Sequence, residues 1–306
     1  MTRPTVRRAI FPVAGLATRF LPVTKAQSKY VLPLIDKPTI QYAVEEAIAS
    51  GLEQVVMVTG GGDCAIAQHF ARSRELEFYL EDRGKHDLLK VLAEVDQLSE
   101  QIDLTYIQQK DPLGLGHAVW TARRLVEGEA CAVLLPDDVI LGGEPCLRQL
   151  MRAHADTGAT VLAVRRVSED QISRYGIIAT GTSNGRTHEV VDLVEKPELS
   201  QAPSDLAIFG RYVLTPDVFE ALGETEPGMG KEIQLTDAVS RTLRKGQVVM
   251  AYEFDGDYYD TGTVPGYLRA NLALALKRPD LRGTLLAVVR ELIDCSEPTV
   301  KERSDN

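Results

Sequence analysis

The 306-residue chain has little cysteine and little aromatic character: four Cys, one Trp, seven Phe and ten Tyr. Cys64, Cys131, Cys146 and Cys295 make no C-x-x-C pair and no metal-ligand spacing, which excludes a disulfide scaffold and a zinc module. Cys131 lies in an apolar run and is expected in the core. A reduced, cytoplasmic setting is the expectation. No apolar run is long enough to cross a bilayer, so no membrane association is expected. The basic-then-apolar N-terminal stretch MTRPTVRRAIFPVAG ends in a glycine loop rather than a cleavage site, and is read as a first strand. An excess of positive charge is also missing. With 34 basic and 44 acidic residues the net charge is −10, which argues against a nucleic-acid partner. The most local absence is of acid at the start: no Asp or Glu precedes Asp36, while Arg19, Lys25 and Lys29 follow an apolar run that ends at Gly15.

What is present is ordinary globular material, 44% hydrophobic and 25% charged. Apolar strand-like runs at Ala9–Ala14, Val55–Thr59 and Cys131–Leu135 alternate with helical stripes. Thr39–Ser50 is the clearest helix, with Pro38 at its entry and Gly51 at its exit. Continuous apolar strands separated by helices predict a mostly parallel sheet covered on both faces, an α/β fold of Rossmann-like kind. Ser73–Gln101 is expected to be helical and outside the sheet. Beyond Ala159 the runs VLAVRRV, YGIIAT and THEVVDLVEKP predict a small antiparallel addition, with GTSNG as its turn. Helices are expected at Gln234–Lys245 and Val264–Lys277. The stripe over Leu281–Cys295 must be buried against a second copy or against its own domain; a homo-oligomer, dimer or tetramer, is the expectation. Residues 1–277 are read as one domain, with 159–215 containing the antiparallel part and 278–306 forming a helical tail with a polar end.

Five constellations fall at predicted strand ends, where ligands of parallel sheets gather. A strand followed by Gly15, Thr18 and Arg19 offers backbone N–H groups and a guanidinium to a phosphate; an exposed loop is the alternative. It matches neither a P-loop nor G-x-G-x-x-G, because no G-K-[ST] follows and Ala17 and Phe20 take the second and third glycine positions. QQKDPLGLGHA, residues 108–118, places a Gln before a glycine turn and a helix expected to begin near His117; it can read a base edge or simply enter the helix. Pro136-Asp137-Asp138 suits a hard cation such as Mg²⁺, or a turn. Glu195-Lys196-Pro197 and Tyr259-Asp260-Thr261-Gly262 close two further strands.

In order along the chain, PVAGLATRFLPVTKA, LPLIDKPTIQYAVEEAIASG, GLGHAV, LLPDD, VEKP, GRYVL, KEIQLTDA and the closing Asp260-x-Gly262 resemble the bacterial-type UTP–glucose-1-phosphate uridylyltransferases, within the sugar-1-phosphate nucleotidyltransferase family. The resemblance runs from about Arg8 to Leu276. It implies transfer of UMP from UTP to glucose 1-phosphate, giving UDP-glucose and pyrophosphate with Mg²⁺ as cofactor. Ala14, Gly15, Leu16, Ala17 and Thr18 would wrap the triphosphate, with Gln109 and Gly114 on the uracil. Arg19 and Lys29 would stabilise charge during transfer, and Asp137 and Asp260 would hold the metal. Gly176, Glu195 and Lys196 would take glucose 1-phosphate. The chain departs from the family pattern where Gly is usual and Ala17 stands, and where Pro-Lys-Glu is replaced by Ser28-Lys29-Tyr30. The Ser-Lys pair and YDTGT are similar to glucose-1-phosphate thymidylyltransferases, which supply one alternative; a catalytically weak regulatory paralogue is another.

Overall fold

The computed structural model describes residues 6–61, 64–126, 128–228 and 231–296. Its centre is a nine-stranded sheet. Strands β1 (Arg8–Val13), β4 (Gln54–Thr59), β5 (Asp103–Gln108) and β6 (Cys131–Leu134) lie in the order β5-β4-β1-β6 and are all parallel. Two short strands, β2 (Pro33–Leu34) and β3 (Lys37–Pro38), precede helix α1 (Thr39–Ala49). Helices α2 (Cys64–Phe70), α3 (Arg74–Asp82) and α4 (His86–Gln101) lie between β4 and β5, and α5 (Leu115–Thr121) and α6 (Arg123–Val126) between β5 and β6. After β7 (Asp138–Leu141) and α7 (Cys146–Thr157) the sheet continues with β8 (Thr160–Arg166), β9 (Gly176–Asn184), β10 (Thr187–Glu195) and β11 (Leu206–Leu214). Then come α8 (Pro216–Gly223), α9 (Leu235–Arg244), β12 (Val249–Glu253), β13 (Asp257–Asp260), α10 (Val264–Lys277) and α11 (Pro279–Ser296).

The parallel strands are apolar on both faces because both faces are covered. Ala9, Phe11 and Val13 of β1 pack into one layer with α1 and α7, through Ile40, Val44, Leu147 and Leu150. Ile10 points the other way, into a layer with Val119 of α5, Leu222 of α8 and Leu235 of α9. Cys131 is fully buried in that second layer, and burial pushes its thiol pKa well up, as expected of a core residue. β1 is an interior strand of the sheet, in agreement with its reading as a strand.

The segment expected to be an antiparallel addition is continuous with this sheet, whose far half runs β6-β11-β8-β12-β10-β9. β8 is antiparallel to β11 yet parallel to β12, so only the β9–β10 hairpin and β11 supply reversed pairings. The hairpin turn is tighter than GTSNG. β9 runs through Gly181–Asn184, Asn184 pairs with Thr187, and Gly185 turns the chain at φ +60°. The Ser73–Gln101 stretch is helical but broken where Gly84 takes φ +62° between α3 and α4. α5 begins at Leu115, two residues before His117, because Gly114 at φ +97° already breaks the extended chain. α1, α9 and α10 agree with expectation to within one residue, and α11 begins at Pro279. The polar end beyond Ser296 lies outside the described residues. No helix among the described residues is long and apolar enough to cross a membrane.

One small ladder matters more for function than its size suggests. β7 pairs antiparallel with β13, and its register sets Asp138 opposite Asp260. Leu34, Val139, Tyr259, Ala270 and Leu274 seal it against α10. This ladder brings the Asp137 turn and the Asp260 turn to the same place, although they are far apart in sequence.

Candidate active site

Two adjoining cavities open at the carboxyl ends of the parallel strands. The first, about 490 Å³, is lined by Ala14, Gly15, Leu16, Ala17, Thr18, Gln109 and Gly114, together with Tyr30, Asp137 and Glu232. The second, about 440 Å³, is lined by Lys29, Asp137, Gly176, Glu195 and Lys196, with Arg174, Glu232 and Thr236. Asp137 and Glu232 belong to both walls. The structure thus gathers twelve of the thirteen candidate residues other than Arg19 around a two-chambered cleft, and Asp260, the thirteenth, is joined to it through Asp137 and Arg174 as described below. Arg19 stands apart: it lies exposed on the single 3₁₀ turn Thr18–Phe20 and makes no ion pair among the described residues.

The first cavity has the floor of an anion site. β1 ends at Val13, and the N–H groups of Gly15, Leu16 and Ala17 find no acceptor among the described residues. Ala17 bends the loop by adopting φ 49°, ψ 42°, the left-handed region that glycine favours. The Ala17 carbonyl is tied down by Phe20 N (3.0 Å) and Thr24 Oγ1 (2.9 Å). Successive free amides beside a left-handed residue form a concave nest suited to phosphate oxygens. Tyr30 is buried beneath this loop, and its hydroxyl donates to the Pro12 carbonyl at 3.3 Å. At the other end of the chamber Gln109 is 6% exposed, and its Nε2 faces Gly114 O (3.2 Å) and His117 Nδ1 (2.8 Å). Gly114 has no room for a side chain, since a Cβ there would lie 2.7 Å from Glu232 Cβ.

Asp137 is the hinge between the chambers. Its Oδ2 forms a short ion pair with Lys29 Nζ. Burial works against the ammonium charge, but Tyr30 and Asp137 beside it outweigh burial and hold the Lys29 pKa above its ordinary value. The backbone carbonyl of Asp137 accepts from both Thr261 N and Thr261 Oγ1, each at 2.8 Å. Asp260 Oδ2 pairs with Arg174 Nη2 at 3.0 Å, and its Oδ1 accepts from Gly262 N at 2.8 Å. The two carboxylates converge over Gly262: a Cβ there would meet Asp137 Oδ2 at 2.8 Å and Asp260 Oδ1 at 3.2 Å. A pair of carboxylate oxygens around a cradle that glycine keeps clear suits a small hard cation, which completes its shell with water and substrate phosphate. Among the described residues there is no cluster of three or more His, Cys, Asp or Glu that could hold a metal by itself, so such a cation would depend on the substrate for further ligands.

Only the family resemblance singles out Asp137 from Asp138; local sequence does not. Asp138 also lines the second cavity, but both its oxygens are engaged within the protein, accepting from Gly210 N (2.8 Å) and Tyr258 OH (2.7 Å). Burial and the neighbouring Asp137 charge push its pKa up to about 6. It braces the turn instead of facing the cradle. Beneath it, Arg211 is 1% exposed and donates to Glu46, to the carbonyls of Leu135 and Asp138, and to that of Gly210. In the second chamber Glu195 ends β10, accepting from Thr236 Oγ1 (2.9 Å) and pairing with Lys196 Nζ (2.8 Å). Lys196 takes φ 45°, a turn that leaves its half-exposed side chain beside Glu195 in the cavity wall. A Cβ on Gly176 would lie 3.2 Å from Glu195 Oε2 and 3.1 Å from Thr236 Cγ2, so glycine widens the chamber there. Sequence reasoning missed Arg174, Tyr258, Glu232, Thr236 and His117 as members of the site or its supports. Four of them lie beside singled-out residues or within quoted motifs: Tyr258 next to the YDTG run, Glu232 and Thr236 in KEIQLTDA, and His117 in GLGHA.

The chain with this sheet and two-chambered cleft belongs to the nucleotidyl transferase family, whose model matches residues 9–277. Within it the similarity is to UTP–glucose-1-phosphate uridylyltransferases. The Bacillus subtilis protein of that name is 47% identical over 292 residues, 95% of this chain and 99% of its own. Among solved structures, the UTP-bound UGPase of Acinetobacter baumannii superposes with a TM-score of 0.85 at 36% identity, covering 94% of this chain and 99% of the other. A UDP-glucose pyrophosphorylase complexed with UDP-glucose gives 0.82 at 39% identity, over 89% of this chain and 100% of the other.

Proposed function

We propose that the chain transfers UMP from UTP to glucose 1-phosphate, releasing pyrophosphate and forming UDP-glucose. The observation that supports this reading most is the pair of chambers that share Asp137: one has free loop amides and a buried glutamine, the other a glutamate and a lysine. A nucleoside triphosphate in the first and a sugar phosphate in the second would meet at that residue. A phosphate oxygen of glucose 1-phosphate forms a bond to the α-phosphorus as the bond from that phosphorus to the bridging oxygen breaks, and pyrophosphate leaves with the electron pair. Such a reaction needs alignment and charge compensation, and no covalent nucleophile.

Each group has a place in that scheme. The amides of Gly15, Leu16 and Ala17 receive triphosphate oxygens, with Ala14 and Thr18 completing the wall. Gln109 and Gly114 receive the uracil. Asp137 and Asp260 would hold Mg²⁺, which supplies charge compensation on phosphate oxygens and an in-line template. Lys29 and Arg174 now neutralise those carboxylates, and both are within the same wall to turn to phosphate when it arrives. Arg19, exposed on the loop, closes on the triphosphate from outside. Glu195 takes sugar hydroxyls, Lys196 the sugar phosphate, and Gly176 leaves space for the ring. The setting is cytoplasmic, without nucleic acid or membrane, and the assembly a homo-oligomer of two or four copies. Pyrophosphate release should be measured with glucose 1-phosphate and each of UTP, dTTP, CTP, ATP and GTP. Fastest release with UTP is expected. Preference for dTTP would make the chain a thymidylyltransferase, and no release with any nucleotide would favour a regulatory paralogue.

A further inference from the structure

Gln109 is a side chain that another residue aims. Its amide is nearly dry, and two neighbours fix which way round it lies. The Gly114 carbonyl lies 3.2 Å from one amide position and can only accept, so that position must be the nitrogen. The same nitrogen is 2.8 Å from His117 Nδ1. Nδ1 must therefore accept, and the imidazole carries its proton on Nε2. Both hydrogens of the Gln109 amide are then used within the protein. Oε1 accepts no hydrogen bond among the described residues, and it is absent from the fully enclosed unpartnered atoms, so it keeps open surface in the cavity that Gln109 lines. His117 is outside that cavity wall. It sits on the first turn of α5, whose Thr121 Oγ1 donates to the His117 carbonyl at 2.7 Å.

We propose that His117 is a positioning residue for nucleotide choice: by accepting from Gln109 it presents a lone carbonyl to the base and selects pyrimidines with an N3–H over cytosine. This rests on the nucleotide being read in the first chamber. Uracil and thymine carry a hydrogen at N3, which Oε1 can accept. Cytosine carries a lone pair there, and two facing acceptors would leave both unpaired in a dry pocket. Without His117 one of the two anchors on the amide is gone. The amide can then rotate to present its nitrogen, which suits cytosine better.

The test is nucleotide binding by calorimetry, UTP against CTP, in the wild type, in His117→Leu, which removes the acceptor at similar bulk, and in His117→Asn, whose Oδ1 can stand where Nδ1 was. Kinetics with glucose 1-phosphate and a melting curve accompany each variant. Wild type should bind UTP more tightly than CTP. Leu should weaken UTP by roughly tenfold, the net worth of one well-placed hydrogen bond, and narrow the UTP-to-CTP ratio. It should raise KM for UTP while KM for glucose 1-phosphate stays within about twofold. Asn should restore both the affinity and the ratio. Equal affinity of wild type for the two nucleotides, an unchanged ratio in Leu, or Asn behaving as Leu would each overturn the assignment. Because binding is read without turnover, a wild type that discriminates the bases yet releases no pyrophosphate would sink the proposed reaction and leave His117 in its role.

Discussion

The buried pair of Arg211 and Glu46 offers the sharpest quantitative test. Arg211 is 1% and Glu46 8% exposed at the side chain. All five guanidinium hydrogens have acceptors: Nε toward both Glu46 oxygens at 3.1 Å, Nη1 to Leu135 O (3.0 Å) and Gly210 O (2.9 Å), Nη2 to Glu46 Oε2 and Asp138 O, both 2.8 Å. Burial opposes the charge on Arg211, and the Glu46 carboxylate outweighs it. Glu46 Oε1 also accepts from Leu147 N at 2.9 Å. Glu46→Gln keeps the shape but leaves a guanidinium without its counter-ion in a dry core, which should cost about 3–5 kcal/mol. Arg211→Met leaves the carboxylate without its counter-ion and takes a donor from three carbonyls, of which those of Leu135 and Gly210 keep a backbone N–H, and it should cost at least as much. Replacing both, as Glu46→Leu with Arg211→Met, should recover much of the loss, since a buried pair contributes little net stability over an apolar pair. Urea unfolding of the four proteins, with Glu46→Leu added to close the cycle, supplies the comparison. The functional consequence is separable: the Leu135 and Asp138 carbonyls bracket Asp137, so the double variant should fold and yet turn over more slowly. A loss under about 1 kcal/mol in Glu46→Gln would refute the reasoning, because an unpaired charge in a dry site cannot be that cheap.

Asp137→Ala and Asp260→Ala should each abolish most Mg²⁺-dependent turnover; near-wild-type rates in both would remove them from the metal site. Lys196→Ala should raise KM for glucose 1-phosphate, whereas Arg19→Ala should lower kcat by the equivalent of roughly 2–4 kcal/mol, with melting temperature unmoved because Arg19 is exposed and makes no ion pair among the described residues. Ala17→Gly relieves a left-handed alanine worth roughly 1–2 kcal/mol and adds unfolded-state entropy worth about 0.4–1 kcal/mol, so a small net stabilisation is expected in a thermal melt and a lower melting point would contradict it. Side-by-side catalytic efficiencies should favour UTP over dTTP by the equivalent of about 1–3 kcal/mol, from a hydrogen bond to the ribose hydroxyl that the deoxynucleotide lacks; equal values would change the nucleotide assignment.

The parts of the fold legible in sequence are those that local chemistry writes. α1 is announced by Pro38 before it and Gly51 after it, and Gly51 does take φ +85°. The parallel strands show as apolar runs because both faces are buried. The loop after β1, the glycine turn at 114 and the VEKP turn are each weak signals alone, and they suggest a phosphate binder, a base reader and a sugar-phosphate holder only when taken together in order. What sequence could not show depends on pairings between distant residues. Nothing local says that Asp138 will face Gly210 and Tyr258 while Asp137 faces Lys29. Nor does any periodicity announce that the β7–β13 register will set Asp138 opposite Asp260. The far half of the sheet was harder still, because β8 pairs in opposite senses with its two neighbours and carries no signature of either.

Two of the three departures from the family pattern, Ala17 and Tyr30, share one structural neighbourhood. Ala17 makes the bend of the loop after β1, and Tyr30 lies under it, its hydroxyl 3.9 Å from where a Gly15 Cβ would be. A glutamate at position 30 would be a second buried carboxylate near Lys29, whose Nζ lies 4.9 Å from the Tyr30 ring centroid. A phenol brings no second carboxylate, so among the described residues Asp137 is the carboxylate paired with Lys29. Lys29 is therefore committed to Asp137 in this structure. A tyrosine there also gives the loop a rigid, apolar support with one hydrogen bond to Pro12, which can hold a left-handed alanine in place at the cost that glycine would avoid. The strain at 17 and the support at 30 act on the same few backbone amides, so their effects on triphosphate affinity should be coupled and not additive.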